Sequence, residues 1–332
     1  MNSSSSGMYN IIDEKGVRSS VLRVANSDIN FNTFSSPKGL RELRVEISKL
    51  LGSCWGYSTD YQNMLITSGS QQSINLVIYT LLKEGDCVLI EQPTYYGAID
   101  CFRKRKVELI GVDLKENGLD LNDLENKIKS HKPKMIYVSP TFNNPTGYAW
   151  DNDYREKFLE LVNRYNILVI EDDPYSLINF TNYKYRSLYQ YNDGKNVVYL
   201  GTFSKYISPS INVGYILASN EIISAMYSFK ESFDLCTSLF SQYVILDYLQ
   251  NNDLQKVINE KIPVYRKLLN AKVSELTKKY GDDIVSITKS KGGLFFSVKF
   301  KENVSNYEYT SADRFYITND CKNETRINIC SP

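Results

Sequence analysis

Short apolar runs alternate with amphipathic stretches through the first two thirds of this chain, and each run ends in a polar loop. Asn63–Thr67, Val88–Glu91, Val107–Val112, Met135–Ser139, Ile167–Ile170 and Val197–Leu200 have the length and the β-branched or aromatic content of buried strands. Between them, Gly39–Leu51, Ile74–Leu82, Ala98–Lys104, Leu121–Ser130 and Tyr154–Tyr165 carry apolar residues at helical spacing. Strand and helix in alternation predict an α/β chain, a mixed and mostly parallel central sheet with helices on both faces. Ligands of such sheets sit outside the carboxyl ends of the strands. The loops expected there are SGSQQ, QPTYY, SPTFNNPTG, EDDPY and GTFSK, the last followed by a further short run, Val213–Leu217.

Beyond residue 220 the pattern changes. Glu221–Lys230 and Gln242–Lys279 are largely helical, the latter read as one long helix bent near Pro263. Strand-like pieces follow at Ile284–Ile287, Leu294–Phe300 and Arg326–Ile329. The expected organisation is an N-terminal arm over 1–38, a large domain over 39–240 and a reduced, small α+β domain over 241–332.

Several function classes are disfavoured at this stage. The chain has 332 residues and a formal net charge of +1, which gives no reason to expect a nucleic acid or an anionic membrane as partner. No apolar run approaches the roughly 20 residues of a membrane span. MNSSSSGMYN lacks the basic and apolar regions of a secretion signal, and Ser3–Ser6 read as a polar lead-in. Six cysteines, Cys54, Cys87, Cys101, Cys236, Cys321 and Cys330, form no CxxC pair; most lie in apolar runs and read as small core residues of a chain in the reducing cytoplasm. The one histidine, His131, lies in the loop SHKPK. A hydrolase triad or a zinc site would have to use it, so no metal is expected. Proton transfer falls to lysine, tyrosine, aspartate or a cofactor.

Four loops carry residues suited to that chemistry. Lys205 follows a buried strand, where desolvation disfavours the ammonium and leaves a nucleophilic amine; the plain alternative is a solvated loop lysine. SGSQQSINLV presents small residues and free N–H groups at a helix start, which serves either as an ordinary cap or as a phosphate site. No GxxxxGK[ST] or GxGxxG motif accompanies it, so a nucleotide is not the natural source of that phosphate. Asn143-Asn144-Pro145-Thr146-Gly147 reads as a turn whose asparagine can donate to a ring hydroxyl. Glu171-Asp172-Asp173 ends the run ILVI, where a carboxylate facing a pyridine nitrogen would keep that ring protonated; the alternative is a solvated acidic turn.

TSGSQQ, EQPTYYG, YVSPTFNNPTG, IEDDPY, YLGTFSK and GGLFF, in that order, resemble the fold-type I aminotransferases of class I/II that depend on pyridoxal 5′-phosphate (PLP). The resemblance is to the 2-aminoadipate or kynurenine aminotransferase branch and to the aminotransferase domain of MocR-type regulators, and it covers about 39–293 well and the tail more loosely. It implies that Lys205 forms the aldimine with the cofactor and shuttles the α-proton, and that Asp172 pairs with the pyridine nitrogen. It further implies that Asn144 and Tyr175 bond the ring hydroxyl, that Tyr95 stacks on the ring, and that Ser70, Gln71 and Thr202 hold the phosphate. Arg326 in TRINI would clamp the substrate α-carboxylate.

The chain departs from the family pattern in four places. Asn212 stands where the family has a phosphate-binding arginine, and Phe34 where a tyrosine reaches the neighbouring subunit's phosphate. The N-terminal segment that covers the substrate is short. Between Phe300 and Arg326 a helix is missing, and the final helix that the family adds is absent. The implied partners are an amino acid and a 2-oxo acid, in a homodimer whose Phe34 lies at the partner's site. The leading expectation is an aminotransferase. The alternatives are PLP-dependent elimination, replacement or cyclisation in a specialised pathway, a PLP-binding regulator, or a non-catalytic relative. Retention of Lys205, Asp172, Asn144 and Tyr175 speaks against the last.

Overall fold

The computed structural model describes residues 12–192, 194–307, 309–318 and 321–331; the serine lead-in lies outside them. In chain order the elements are α1 (Glu14–Ala25), α2 (Arg41–Trp55), β1 (Met64–Thr67), α3 (Ser70–Leu81), β2 (Cys87–Gln92), α4 (Tyr96–Lys104), β3 (Glu108–Lys115), β4 (Gly118–Leu119), α5 (Leu121–His131), β5 (Met135–Val138), α6 (Asn152–Arg164), β6 (Leu168–Asp173), α7 (Leu188–Tyr191), β7 (Val197–Thr202), β8 (Gly214–Leu217), α8 (Asn220–Asp234), α9 (Leu239–Asn251), α10 (Leu254–Tyr280), β9 (Ile284–Ile287), β10 (Phe295–Phe300) and β11 (Glu324–Asn328).

The large sheet runs β1-β8-β7-β6-β5-β2-β3-β4. β3, β2, β5, β6 and β7 pair in parallel. β8 is antiparallel to both β7 and β1, so β1 points with the parallel set. The carboxyl ends of β1, β2, β5, β6 and β7 therefore share one edge, and the polar loops that follow them gather there.

Period-two alternation sends strand residues into two cores. Val169, Ile136, Leu89 and Val197 join one with α2, α5 and α6; Ile170, Met135, Tyr137, Val88 and Val198 join the other with α3, α4 and α8. Burial on both faces is why these strands read as continuous apolar runs. A second, antiparallel sheet, β11-β10-β9, follows α10.

Three readings of the sequence change. The stretch read as one helix over Gln242–Lys279 is two: Asn252 leaves the helix at φ −135°, ψ 141°, and the Asp253 carboxylate caps α10 by accepting from Lys256 N at 3.0 Å. Asn and Asp offer the backbone local partners, which outweighs the period. Pro263 lies inside α10 without ending it. Of the cysteines only Cys87 and Cys101 are fully buried, and all six are free thiols. The stretch before α2 contains a helix, α1, packed on α9, with Tyr248 Oη donating to Asp13 Oδ2 at 3.0 Å and an Arg23–Asp247 ion pair at 2.6 Å.

Candidate active site

Alternation along β6 separates its three terminal acids. All three are buried, but Glu171 and Asp173 face the side of Val169, and Asp172 the side of Ile170 and Tyr137. Glu171 accepts from the backbone N–H groups of Leu188 and Tyr189 at 2.9 and 3.1 Å, the first residues of α7, with the Arg155 guanidinium 3.9 Å away. Asp173 accepts from Tyr199 Oη at 2.9 Å and Ser176 N at 3.0 Å. Asp172 is different: one oxygen accepts from Tyr137 Oη, and the other, Oδ1, is buried with no hydrogen-bond partner among the described residues. Burial pushes the Asp172 carboxyl up to about 7, reinforced by Asp173 and opposed by the Tyr137 hydrogen bond and the charge of Lys205. A buried oxygen lacking a donor among the described residues is set for a donor from a ligand.

Asp172 lines a cavity of about 150 Å³ at the carboxyl edge of the sheet. Lys205 lines it too. The β7–β8 connection is pinned by Phe203 N donating to Val213 O at 3.0 Å and Ile207 N to Phe203 O at 2.8 Å, with Phe203, Tyr206 and Ile207 buried. These anchors leave Lys205 half-buried, where desolvation first and the Arg326 charge second hold its ammonium below the usual lysine range, against Asp172. An amine so placed is a nucleophile and a proton acceptor.

At the start of α3, Gly69 sits at φ +80°, and a Cβ there would lie 2.2 Å from Asn212 Oδ1, so the approach of these two loops requires glycine. Asn212 Nδ2 donates to Ser68 O at 3.1 Å, so at the position of the family arginine this residue holds the loop. Gln72 Oε1 accepts from Ser68 N at 2.8 Å and from the buried Lys230 at 3.2 Å. Ser70 faces the cavity, while the first backbone N–H groups of α3 form its anion-attracting end.

Tyr95, Asn144, Tyr175 and Arg326 complete the wall. Burial raises the Tyr95 phenol to about 12, and its Oη donates to Gln71 Oε1 at 3.1 Å. The Gln71 amide turns to Gly97 O at 3.1 Å and Cys101 Sγ at 2.9 Å, so only its backbone is free for a ligand. Arg326 donates to Asn144 Oδ1 at 3.3 Å, and its guanidinium carbon stands 4.2 Å from the Phe295 ring centroid. It is held below the usual arginine range by burial and has no ion-pair partner among the described residues. Tyr175 packs edge-on against Phe295 at 5.9 Å.

Two expected residues lie elsewhere in the single chain. Thr202 faces a small cavity behind β6 and β7, where its hydroxyl contacts Ser204. Phe34 is 76% exposed and outside the cavity. Other residues at the site were not singled out in the sequence: Tyr137, Tyr96, Ser139, Phe295 and Asn328. A tyrosine inside the apolar run MIYV was a signal, since a buried phenol needs a partner. Only the strand register, which pairs Tyr137 with Ile170, shows that the partner is Asp172.

Comparison with known proteins agrees with this geometry. The family model "Aminotransferase class I and II" matches residues 9–331. The chain is 28% identical over 311 residues to aromatic-amino-acid aminotransferase 1 of Thermococcus litoralis, covering 89% of this chain and 74% of the relative. It is 31% identical over 276 residues to 2-aminoadipate transaminase of Thermus thermophilus, covering 82% and 67%. The crystal structure of Pyrococcus horikoshii kynurenine aminotransferase superposes with a TM-score of 0.89 at 30% identity, covering 96% of this chain and 83% of that one.

Proposed function

Because the chain belongs to the class I and II aminotransferases, fold-type I enzymes that depend on PLP, we propose that its two half-reactions, amino acid to 2-oxo acid and the reverse, take place in the cavity between Lys205, Asp172 and Arg326. The residues fit the cofactor on one observation above all: the orphaned Asp172 Oδ1 opens on the same cavity as a half-buried amine. When bound, PLP supplies an aldehyde that condenses with primary amines and a ring that stores the electron pair of a broken Cα–H bond.

The chain's own groups do the rest. Asp172 Oδ1 holds the proton of the ring nitrogen, and Tyr137 keeps Oδ2 in place. Lys205 binds the cofactor and, as a free amine, takes the proton from the substrate Cα. Asn144 and Tyr175 bond the ring hydroxyl and Tyr95 covers the ring face. Ser70 and the Gln71 backbone hold the phosphate with the N-terminus of α3, and Asn212 shapes that end. The arginine that the family places there is missing, and a charge-assisted bond of about 1.5–3 kcal/mol goes with it. Arg326, a half-buried cation with no ion-pair partner among the described residues, takes the substrate α-carboxylate bidentately.

Residues 39–240 then act as the cofactor domain and 241–332 as the reduced small domain. We place the enzyme in the cytoplasm, which its six free thiols suit, and as a homodimer in which the exposed Phe34 lies at the partner's site. No helix among the described residues is long and apolar enough to cross a membrane.

A half-reaction assay tests this. Holoenzyme mixed with L-amino acids should release a 2-oxo acid and retain pyridoxamine phosphate. Release of ammonia with the aldehyde form regenerated would point to elimination instead.

A further inference from the structure

α8 buries a lysine where its period calls for an apolar residue. Ile223, Met226 and Lys230 are its buried positions, on one stripe of the helix. The first two join the core shared with Ile74 and Val77 of α3. Lys230, 0% exposed, stands one turn further on, against the first turn of α3.

An ammonium is buried only with partners. Lys230 Nζ donates to the two oxygens of Asp234 at 2.7 and 2.8 Å and to Gln72 Oε1 at 3.2 Å. Gln72 Nε2 donates to Asp234 Oδ2 at 2.6 Å. Three side chains thus close a ring of hydrogen bonds between α8 and α3. Burial holds the Lys230 ammonium below the usual lysine range, and Asp234 works against that. The ring pairs one cation with one anion, so it does not act on a ligand through net charge.

Its reach is through the backbone. Gln72 Oε1 also accepts from Ser68 N at 2.8 Å, and Asn212 Nδ2 donates to Ser68 O at 3.1 Å. Ser68 is tied at its amide to α3 and α8 and at its carbonyl to the β7–β8 connection. Gly69 follows at φ +80° and ψ 170°, and after it come the first N–H groups of α3. A glycine is the freest link a chain can place there, and the bonds on Ser68 fix the backbone that enters it. An arginine at position 212 would grip a phosphate with its charge. N–H groups and the Ser70 hydroxyl grip it only as well as they are held in place beforehand.

We propose that Lys230, Asp234 and Gln72 form a clasp that positions the phosphate-binding end of α3, its preorganisation standing in for the charge lost at Asn212. The assignment rests on the reading of that end as the phosphate site of PLP. All three are positioning residues: Lys230 and Asp234 act through Gln72, and Gln72 through Ser68.

The test is fluorescence titration of the full-length chain, freed of cofactor, with PLP and with pyridoxal, which lacks the phosphate. The parent is compared with Gln72→Met, which leaves the Lys230–Asp234 pair intact, and with Lys230→Met. Gln72→Met should raise the dissociation constant of PLP about threefold to tenfold, the equivalent of one neutral hydrogen bond, and that of pyridoxal less than about twofold. Inorganic phosphate should compete with PLP more weakly by the same factor, at an unchanged melting temperature. Lys230→Met should show the same selective loss; if it does not fold, Gln72→Met decides alone. Equal weakening of PLP and pyridoxal, weakening of neither, or loss in Gln72→Met with none in a folded Lys230→Met overturns the clasp. A parent that binds pyridoxal as tightly as PLP overturns it while leaving the role of Lys205 intact. A parent that binds neither contradicts the clasp and the cofactor reading together.

Discussion

The two faces of β6 treat buried charge in opposite ways. On one, Arg155 is fully buried, and its guanidinium donates to the carbonyls of Trp150, Arg186 and Pro140 and to Thr141 Oγ1 at 2.8–3.0 Å. Beside it both Glu171 and Asp173 are met by N–H or O–H donors. On the other face Asp172 has an oxygen with no partner among the described residues, and Arg326 bonds one neutral amide. Lys205 has no hydrogen bond or ion pair among the described residues. Glu171 and Asp172 are adjacent in sequence and both buried, so burial does not tell them apart; completeness of pairing does. A buried charge closed by its own chain holds the fold, and one left open receives a ligand.

Substitutions on the two faces should therefore fail differently. Lys205→Ala should lower release of 2-oxo acid by about 10²–10⁴-fold, the range for a lost acid–base group, with no loss of melting temperature. Retention of a tenth of the parent rate would remove Lys205 from that role. Arg155→Met breaks a closed cluster and leaves Glu171 buried without its cation. It should cost about 3–5 kcal/mol in urea unfolding. Arg326→Met abandons no carboxylate, so stability should fall by less than about 1 kcal/mol while substrate KM rises about tenfold or more. Equal destabilisation by the two arginine substitutions would erase the distinction between the faces.

Tyr137→Phe strips the one donor from Asp172 and should cost roughly 1–3 kcal/mol in stability, with weaker cofactor binding seen by fluorescence titration. The mildest effect is on pH dependence. Folded protein holds the Asp172 proton up to about pH 7, whereas the unfolded chain releases it near 4. Between those values the unfolded state binds fewer protons, so this group makes cofactor-free protein less stable as pH rises through the window, with no further change above it. Asp172→Asn should show a smaller decline in urea midpoint from pH 4 to 7 than the parent; an identical decline would mean that Asp172 titrates normally.

Much of this arrangement was legible in the sequence because it depends on order along the chain. The apolar runs mark strands buried on both sides, and the loops that follow them gather at one edge because those strands run parallel. Ser70, Tyr95, Asn144, Asp172, Tyr175, Lys205 and Arg326 line one cavity as a result. What stayed hidden depends on register and docking. Which of three acids faces the cavity follows from strand parity, and its bond to Tyr137 from the β5–β6 pairing. The segment between β10 and β11 is positioned by single bonds such as Thr94 N to Phe315 O, between segments some 220 residues apart, and no local pattern encodes them. At Asn212 the change of residue was visible, but its bond to Ser68 was not.

Borohydride reduction of the PLP-loaded protein, followed by peptide mass mapping, tests the central claim most directly. Attachment of the phosphopyridoxyl group to Lys205 alone is the expected result. Attachment to Lys230 or to scattered surface lysines, with Lys205 unmodified, would contradict it.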